Sequence, residues 1–351
     1  MQTFRHLDKH FRVIPAGVVQ SLGGIDVAKG RQEAFRQQNP AILKTLTEIA
    51  RIQSTEASNA IESITAPAKR IEALVREKTA PANRSEEEIA GYRKVLDAIH
   101  SSAEHIPFKR TVVEQFHRDI YSFTATPGGK FKSGPNEVKE FHPDGTEVVL
   151  FQSVSAFETP AAMDELHKRF DDAWHAAQYP RLFLIAGYVF DFLMIHPFQD
   201  GNGRLSRLLT LLMLYQAGFE VGRFISLEKL IEGSRETYYE SLQRSTPGWH
   251  DGEHDIWPWV NYFLGIINAA YKQFEARTEA VPKRGSKRAF VKQSIRASVK
   301  DTFSMADIRQ AAPGVSDPTI RNVLTELRKA GVLEAPGRGP KAQWKRLHTN
   351  F

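Results

Sequence analysis

The feature that most constrains this chain is a continuous apolar run, Leu182 to Ile195, broken only by Gly187 and Asp191. A helix without a polar face has to be surrounded by other protein. Further along, Leu205, Leu208, Leu209, Leu212 and Met213 recur at helical spacing. Between the two patterns lies His196-Pro197-Phe198-Gln199-Asp200-Gly201-Asn202-Gly203-Arg204-Leu205-Ser206-Arg207. The whole reads as helix, tight polar loop, helix, with both helices largely buried.

The residue types in the loop suit a polyphosphate. Gly201 and Gly203 let the backbone turn sharply and approach a ligand with no Cβ in the way. Unpaired N–H groups at the start of the second helix, together with its dipole, form an anion site. Arg204 and Arg207, at i and i+3, lie on one side of the first turn and can grip phosphate oxygens. Asp200 is a hard oxygen ligand for Mg²⁺ carried in on the phosphates, and His196 is placed to take a proton from an incoming hydroxyl. Any one of these residues could serve packing alone. Six apt positions in so short a stretch point to a ligand.

The stretch resembles the signature of the Fic family, His-Pro-Phe-x-Asp/Glu-Gly-Asn-Gly-Arg-x-x-Arg, and matches it at every fixed position. The resemblance implies a mainly α fold: a Fic-type helical core with a β-hairpin flap. It implies a nucleotidyltransferase that moves AMP from ATP to a Ser, Thr or Tyr hydroxyl of a target protein and releases pyrophosphate. His196 is then the catalytic base; Gly201, Asn202, Gly203, Arg204 and Arg207 hold the nucleotide; Asp200 holds Mg²⁺. The related Doc branch carries Lys at the position of Gly203 and phosphorylates instead, so Gly203 favours AMP transfer. The resemblance also places a tyrosine near the adenine, here Tyr239.

Upstream, Ser58-Asn-Ala-Ile-Glu62 resembles the family's inhibitory helix, Ser/Thr-x-x-x-Glu-Gly/Asn, with Ser63 in the place of the usual Gly or Asn. Read from the residues alone, this helix continues to Ile64 and Glu62 is a solvated acid. The resemblance implies instead that Glu62 pairs with Arg207 and displaces the ATP γ-phosphate.

Elsewhere the chain is read element by element. Residues 1–25 are turn-rich and expected to wrap or extend, with helix from Ile25 to Gln38. Ser85 to Glu88 is a capping box opening a helix that reaches His100. Arg110 to Phe123 is helical, with Phe123 inward and His117 a packing or hydrogen-bonded histidine. Glu137 to Phe141 and Thr146 to Phe151, joined through Pro143-Asp144-Gly145, form a hairpin. In the family this element is the flap, along which a target segment docks as an added strand.

Residues 281–351 hold 15 Lys and Arg against 5 Asp and Glu, while the rest of the chain is slightly acidic. The basic balance therefore belongs to a separate C-terminal module. Its helices, and strands flanking Pro336 to Lys341, follow a winged helix-turn-helix pattern that suits DNA phosphates and equally serves protein contact. The expected domains are 1–100, helical with the inhibitory helix at about 54–64; 101–279, the catalytic core; 280–289, a basic linker; and 290–351, the winged helix. With no Cys, disulfides and thiol catalysis are excluded. The N-terminus lacks the apolar core of a signal peptide and no run suits a membrane span, so a cytoplasmic protein is expected. Two rivals stay open beside AMP transfer: an enzyme that chiefly removes AMP, and a DNA-binding regulator whose nucleotide site is a sensor. The target protein and homodimer formation are open as well.

Overall fold

The structure, a computed structural model, describes all residues except 39, 142–146, 280–286, 299–301, 313–314, 335–342 and 348–351. It is mainly helical and forms two compact units, Met1–Gly30 with Ala50–Tyr271, and Arg31–Ile49 with Lys272–Phe351. Among the described residues no helix is long and apolar enough to cross a membrane.

The chain runs α1 (Gln2–Arg5), α2 (Leu7–Phe11), α3 (Ala16–Gln38), α4 (Pro40–Ile61), α5 (Ala68–Val75), α6 (Arg84–Ser102) and α7 (Arg110–Ile120). The strands β1 (Glu137–Phe141) and β2 (Glu147–Gln152) follow. Then come α8 (Thr159–Ala176), α9 (Arg181–Ile195), α10 (Asn202–Gln216), α11 (Leu227–Gly233), α12 (Arg235–Ser245) and α13 (Trp257–Glu279). The apolar run is α9, buried at every residue from Leu182 to Ile195. Its Asp191 is fully buried, accepting from Thr3 Oγ1 (2.9 Å) and Trp249 Nε1 (2.7 Å), so the one carboxylate in the run is satisfied.

Helix α3 begins at Ala16, nine residues before the expected start, and contains Gly23 and Gly24. Burial of Val18, Ile25 and Ala28 on one face holds the helix despite the two glycines. The cap of α6 is Asn83 rather than Ser85: Asn83 Oδ1 accepts from Glu86 N at 3.0 Å, and Glu86 turns to Arg70 at 2.5 Å. Helix α7 stops at Ile120, which leaves Phe123 beyond it and 42% exposed. Gly91 of α6 lies against the end of α7; a Cβ there would stand 1.8 Å from Ile120 O, so this crossing requires glycine.

Strands β1 and β2 pair antiparallel, with a bulge between Val138 and Lys139. The Pro143–Gly145 turn lies outside the described residues. In the second unit, Phe35 and Phe274 meet edge to face at 5.7 Å. Its C-terminal part comprises α14 (Lys287–Ser298), β3 (Thr302–Phe303), α15 (Met305–Ala311), α16 (Asp317–Lys329), β4 (Leu333–Glu334) and β5 (Trp344–Arg346). The strands form an antiparallel sheet in the order β3-β5-β4, over a core that includes Val291, Ile295, Ile308, Ile320 and Val323. Residues 280–286 of the expected linker and the segment 335–342 lie outside the described residues.

Candidate active site

The polar loop joins α9 to α10 through two left-handed residues, His196 (φ 50°, ψ 61°) and Gly201 (φ 78°). His196 caps α9, its N–H bonded to Phe192 O at 2.9 Å. Its Nδ1 stands 3.2 Å from Leu193 O. A carbonyl can only accept, so Nδ1 carries the proton and Nε2 keeps its lone pair. Burial, opposed by the Leu193 contact, lowers the imidazole to about 4. The ring is therefore a neutral base at ordinary pH.

The loop is braced from inside. Phe198 is fully buried and stacks on His117 at 3.8 Å, with the planes 6° apart. The side chain of Asn202 closes the turn on Phe198, accepting from its N–H (2.9 Å) and donating to its carbonyl (2.7 Å). At 1% exposure, the Asn202 amide shapes the loop rather than facing a ligand. A second clamp comes from the base of the hairpin. Asn136 Nδ2 donates to His196 O (3.1 Å) and Phe198 O (2.7 Å). Lys132 Nζ donates to Ile195 O (3.0 Å), Ser153 Oγ (2.8 Å) and Asn136 Oδ1 (2.7 Å), and burial lowers its ammonium to about 8.

The two arginines have different fates. Arg204 is fully buried: Nη1 pairs with Glu88 Oε2 of α6 at 2.7 Å, and Nη2 donates to Tyr121 Oη at 2.8 Å. It lies under the loop and is not open to an entering phosphate. Arg207, at 5% exposure, donates Nε to Ser58 Oγ (2.8 Å) and Nη2 to Ser58 O (2.9 Å) and Glu62 Oε1 (2.8 Å). Burial works against the Arg207 charge, and Glu62 beside it more than compensates, holding its pKa above the ordinary value.

Glu62 thus reaches the start of α10. A Cβ on Gly203 would lie 2.2 Å from Glu62 Oε1 and 3.3 Å from Arg207 Nη1. A side chain at 203 would push the Glu62 carboxylate aside. The carboxylate occupies the ground that unpaired N–H groups and the dipole of α10 make favourable to an anion. Tyr239 is half-buried on α12, its phenol raised by burial and by the charge of Glu62, with Arg207 opposing. Its neighbour Tyr238 is buried, 5.2 Å away ring to ring.

Asp200 is the open carboxylate of the loop, its side chain 68% exposed. Oδ1 accepts from Gly201 N (2.6 Å) and Oδ2 from Tyr121 Oη (2.9 Å). The structure therefore brings Glu62 against Gly203 and Arg207, with His196 and Asp200 on the loop that leads into α10. It buries Asn202 and Arg204 within the fold. Sequence reading passed over Tyr121, Lys132 and Asn136, because no local pattern marks residues that act across 60 to 80 positions of chain.

Residues 107–214 match the model of the Fic/DOC family. A protein adenylyltransferase Fic from Nematostella vectensis is 25% identical over 68% of this chain, which spans about half (52%) of the relative's length. A Fic family protein from Desulfovibrio desulfuricans G20 has a similar fold, with TM-score 0.61 and 21% identity over 97% of this chain and 98% of that one. So does a Fic-domain signalling protein from Bacteroides thetaiotaomicron VPI-5482, with TM-score 0.62 and 22% identity over 75% of this chain and all of that one. The fold is thus similar to that of solved Fic-family structures.

Proposed function

We propose that this protein is an adenylyltransferase that moves AMP from ATP to a Ser, Thr or Tyr hydroxyl of a target protein, and that Glu62 holds it off. The observation that carries this reading is the seat of Glu62: a carboxylate bound to Arg207 and pressed against Gly203, where a nucleotide phosphate would be held. With Glu62 withdrawn, Arg207 and the start of α10 receive the phosphates. The target hydroxyl attacks the α-phosphorus while its proton passes to His196 Nε2. The bond from that phosphorus to the bridging oxygen breaks, and pyrophosphate leaves. Positioning and charge neutralisation dominate such transfers.

Asp200 suits Mg²⁺, which takes one or two carboxylates and completes its shell with phosphate oxygens and water. When bound there, the ion neutralises phosphate charge. The two-stranded hairpin fits a target segment added along an edge by main-chain hydrogen bonds. Tyr239, whose phenol feels the charge of Glu62, is assigned to the adenine.

Labelled ATP tests the reaction. In the Glu62→Gly protein, α-label should enter target protein and γ-label should not. His196→Ala on that background should cut transfer about a hundredfold or more. Label entering from γ alone would make the enzyme a kinase.

For the C-terminal part of the second unit, read as a winged helix-turn-helix, we propose double-stranded DNA as partner. Helix α16 turns Ile320, Val323, Leu324 and Leu327 inward and exposes Arg321, Asn322, Thr325 and Arg328. Its acids are already paired: Asp317 with Arg309 (2.5 Å), and Glu326 with Arg288 and Lys292 (both 2.7 Å). Duplex binding by the full chain should weaken steeply between 50 and 200 mM salt, by about a thousandfold for six phosphate contacts. Arg321→Ala with Arg328→Ala should weaken it further. Salt-independent binding, or none, would return this unit to protein contact.

A further inference from the structure

Asp200 is held at three atoms. His117 Nδ1 accepts from Gly129 N at 2.7 Å, so its Nε2 carries the proton and donates to Asp200 O at 3.0 Å. Gly201 N–H holds Oδ1, and Tyr121 O–H holds Oδ2. The direction of the Tyr121 proton is set from behind. Arg204 Nη2 donates to Tyr121 Oη at 2.8 Å and, being a guanidinium, cannot accept in return. The phenol proton is therefore turned toward the carboxylate. Arg204 is locked in turn by Glu88, which Arg84 Nε also contacts at 3.1 Å. Glu88, Arg204 and Tyr121 are buried, while the Asp200 side chain is 68% exposed. Gly201 fits closely against the phenol, since a Cβ there would stand 3.0 Å from Tyr121 Oη.

We propose that Tyr121 is a positioning residue for Asp200 as a Mg²⁺ ligand, and that Arg204, held by Glu88, supports this role by orienting Tyr121 and by its own charge 3.8 Å from Asp200 Oδ2, rather than by touching phosphate. The inference rests on the reading of the loop as a Mg²⁺–nucleotide site. It gives Arg204 a different task from Arg207, although both belong to one motif. A hydroxyl fixed against a ligating carboxylate selects the conformer that offers its free lone pairs to the ion, and losing such a partner typically weakens metal affinity 10- to 100-fold.

The test uses the full chain carrying Glu62→Gly, with an α,β-methylene analogue of ATP titrated calorimetrically in EDTA and across a Mg²⁺ series. Adding Tyr121→Phe, which keeps the ring, should raise the Mg²⁺ concentration for half-maximal enhancement about tenfold or more. Affinity in EDTA should stay the same. Asp200→Asn should abolish the enhancement, and Tyr121→Phe should then add nothing to it, as expected of residues acting in series. An unchanged Mg²⁺ dependence in Tyr121→Phe would overturn the proposal. So would an equal loss of binding in EDTA, since that marks a merely structural tyrosine. If the Glu62→Gly parent binds no nucleotide, or binds it without response to Mg²⁺, the reading of the site itself fails and this proposal falls with it.

Discussion

Arg204 and Arg207 show how little residue type and spacing alone decide. Both are buried, and a buried guanidinium needs partners for its charge. Arg204 finds Glu88 and Tyr121 within the fold and is committed to them. Arg207 keeps two contacts with Ser58 and gives its third to Glu62, a residue from the end of α4 whose side chain is 33% exposed. That third contact is the replaceable one. Glu62→Gly should therefore raise nucleotide affinity about tenfold or more, equivalent to roughly 1.4 kcal/mol or more. It should also cost the free protein about 1–3 kcal/mol for the partner lost to a buried charge. Calorimetry and urea denaturation read the two effects, and saturating nucleotide should restore the stability. Affinity no greater than wild type would remove Glu62 as the inhibitor.

At the scale of the element, the end of α4 places a strained residue directly after Glu62. Ser63 N–H reaches Ala60 O and Ile64 N–H reaches Asn59 O, both at 3.0 Å, which closes the helix with Ser63 at φ 61°. The left-handed region costs a Cβ-bearing residue roughly 1–2 kcal/mol, and glycine escapes the cost. Ser63→Gly should stabilise the protein by about 1 kcal/mol in urea melts. By firming the end of α4 it should also lower basal transfer, with His196 and Glu62 untouched. Equal or lower stability would mean that Ser63 is not strained. The same scale separates what the pattern of residues could show from what it could not. Helix α9 and the loop after it are readable because burial period and glycine positions are local properties. The start of α3 is not, because Gly23 and Gly24 look like a break until the packing of Val18 and Ile25 is known. Phe123 looks inward by period and lies past the end of its helix.

For the molecule as a whole, buried histidines set the response to acid. Burial lowers His100 to about 3, and His117, His196 and His254 to about 4, from an ordinary 6.5. Folded, they are neutral; unfolded, they bind protons below pH 6.5. Their contribution to stability is thus complete above 6.5 and declines as pH falls toward 4. Glu86 and Glu165, held at about 2 by Arg70 and Arg5, act in the opposite region: they stabilise above an ordinary 4.5 and lose that contribution only as pH falls toward 2. Urea midpoints should therefore drop between pH 6.5 and 4.5, before those carboxylates titrate. A midpoint flat to pH 4.5 would contradict the buried, neutral state of these histidines.

The sequence by itself determined the helical class and the loop between two buried helices, and it marked His196, Asp200, Gly201, Asn202, Gly203, Arg204 and Arg207 as candidates within that loop. These lie within one turn–helix unit, where chain geometry alone sets their spacing. It also marked Glu62, but only through resemblance, since a lone acid near a helix end is ordinarily solvated. Only the tertiary structure decided that Glu62 meets Arg207 across 145 residues, and that Tyr121 meets Asp200 across 79. The physical reason is that local preference and periodicity act over a few residues. Which polar group satisfies which, once water is excluded, depends on how helices pack against one another. For that reason one arginine of the motif lies under the site while the other faces it.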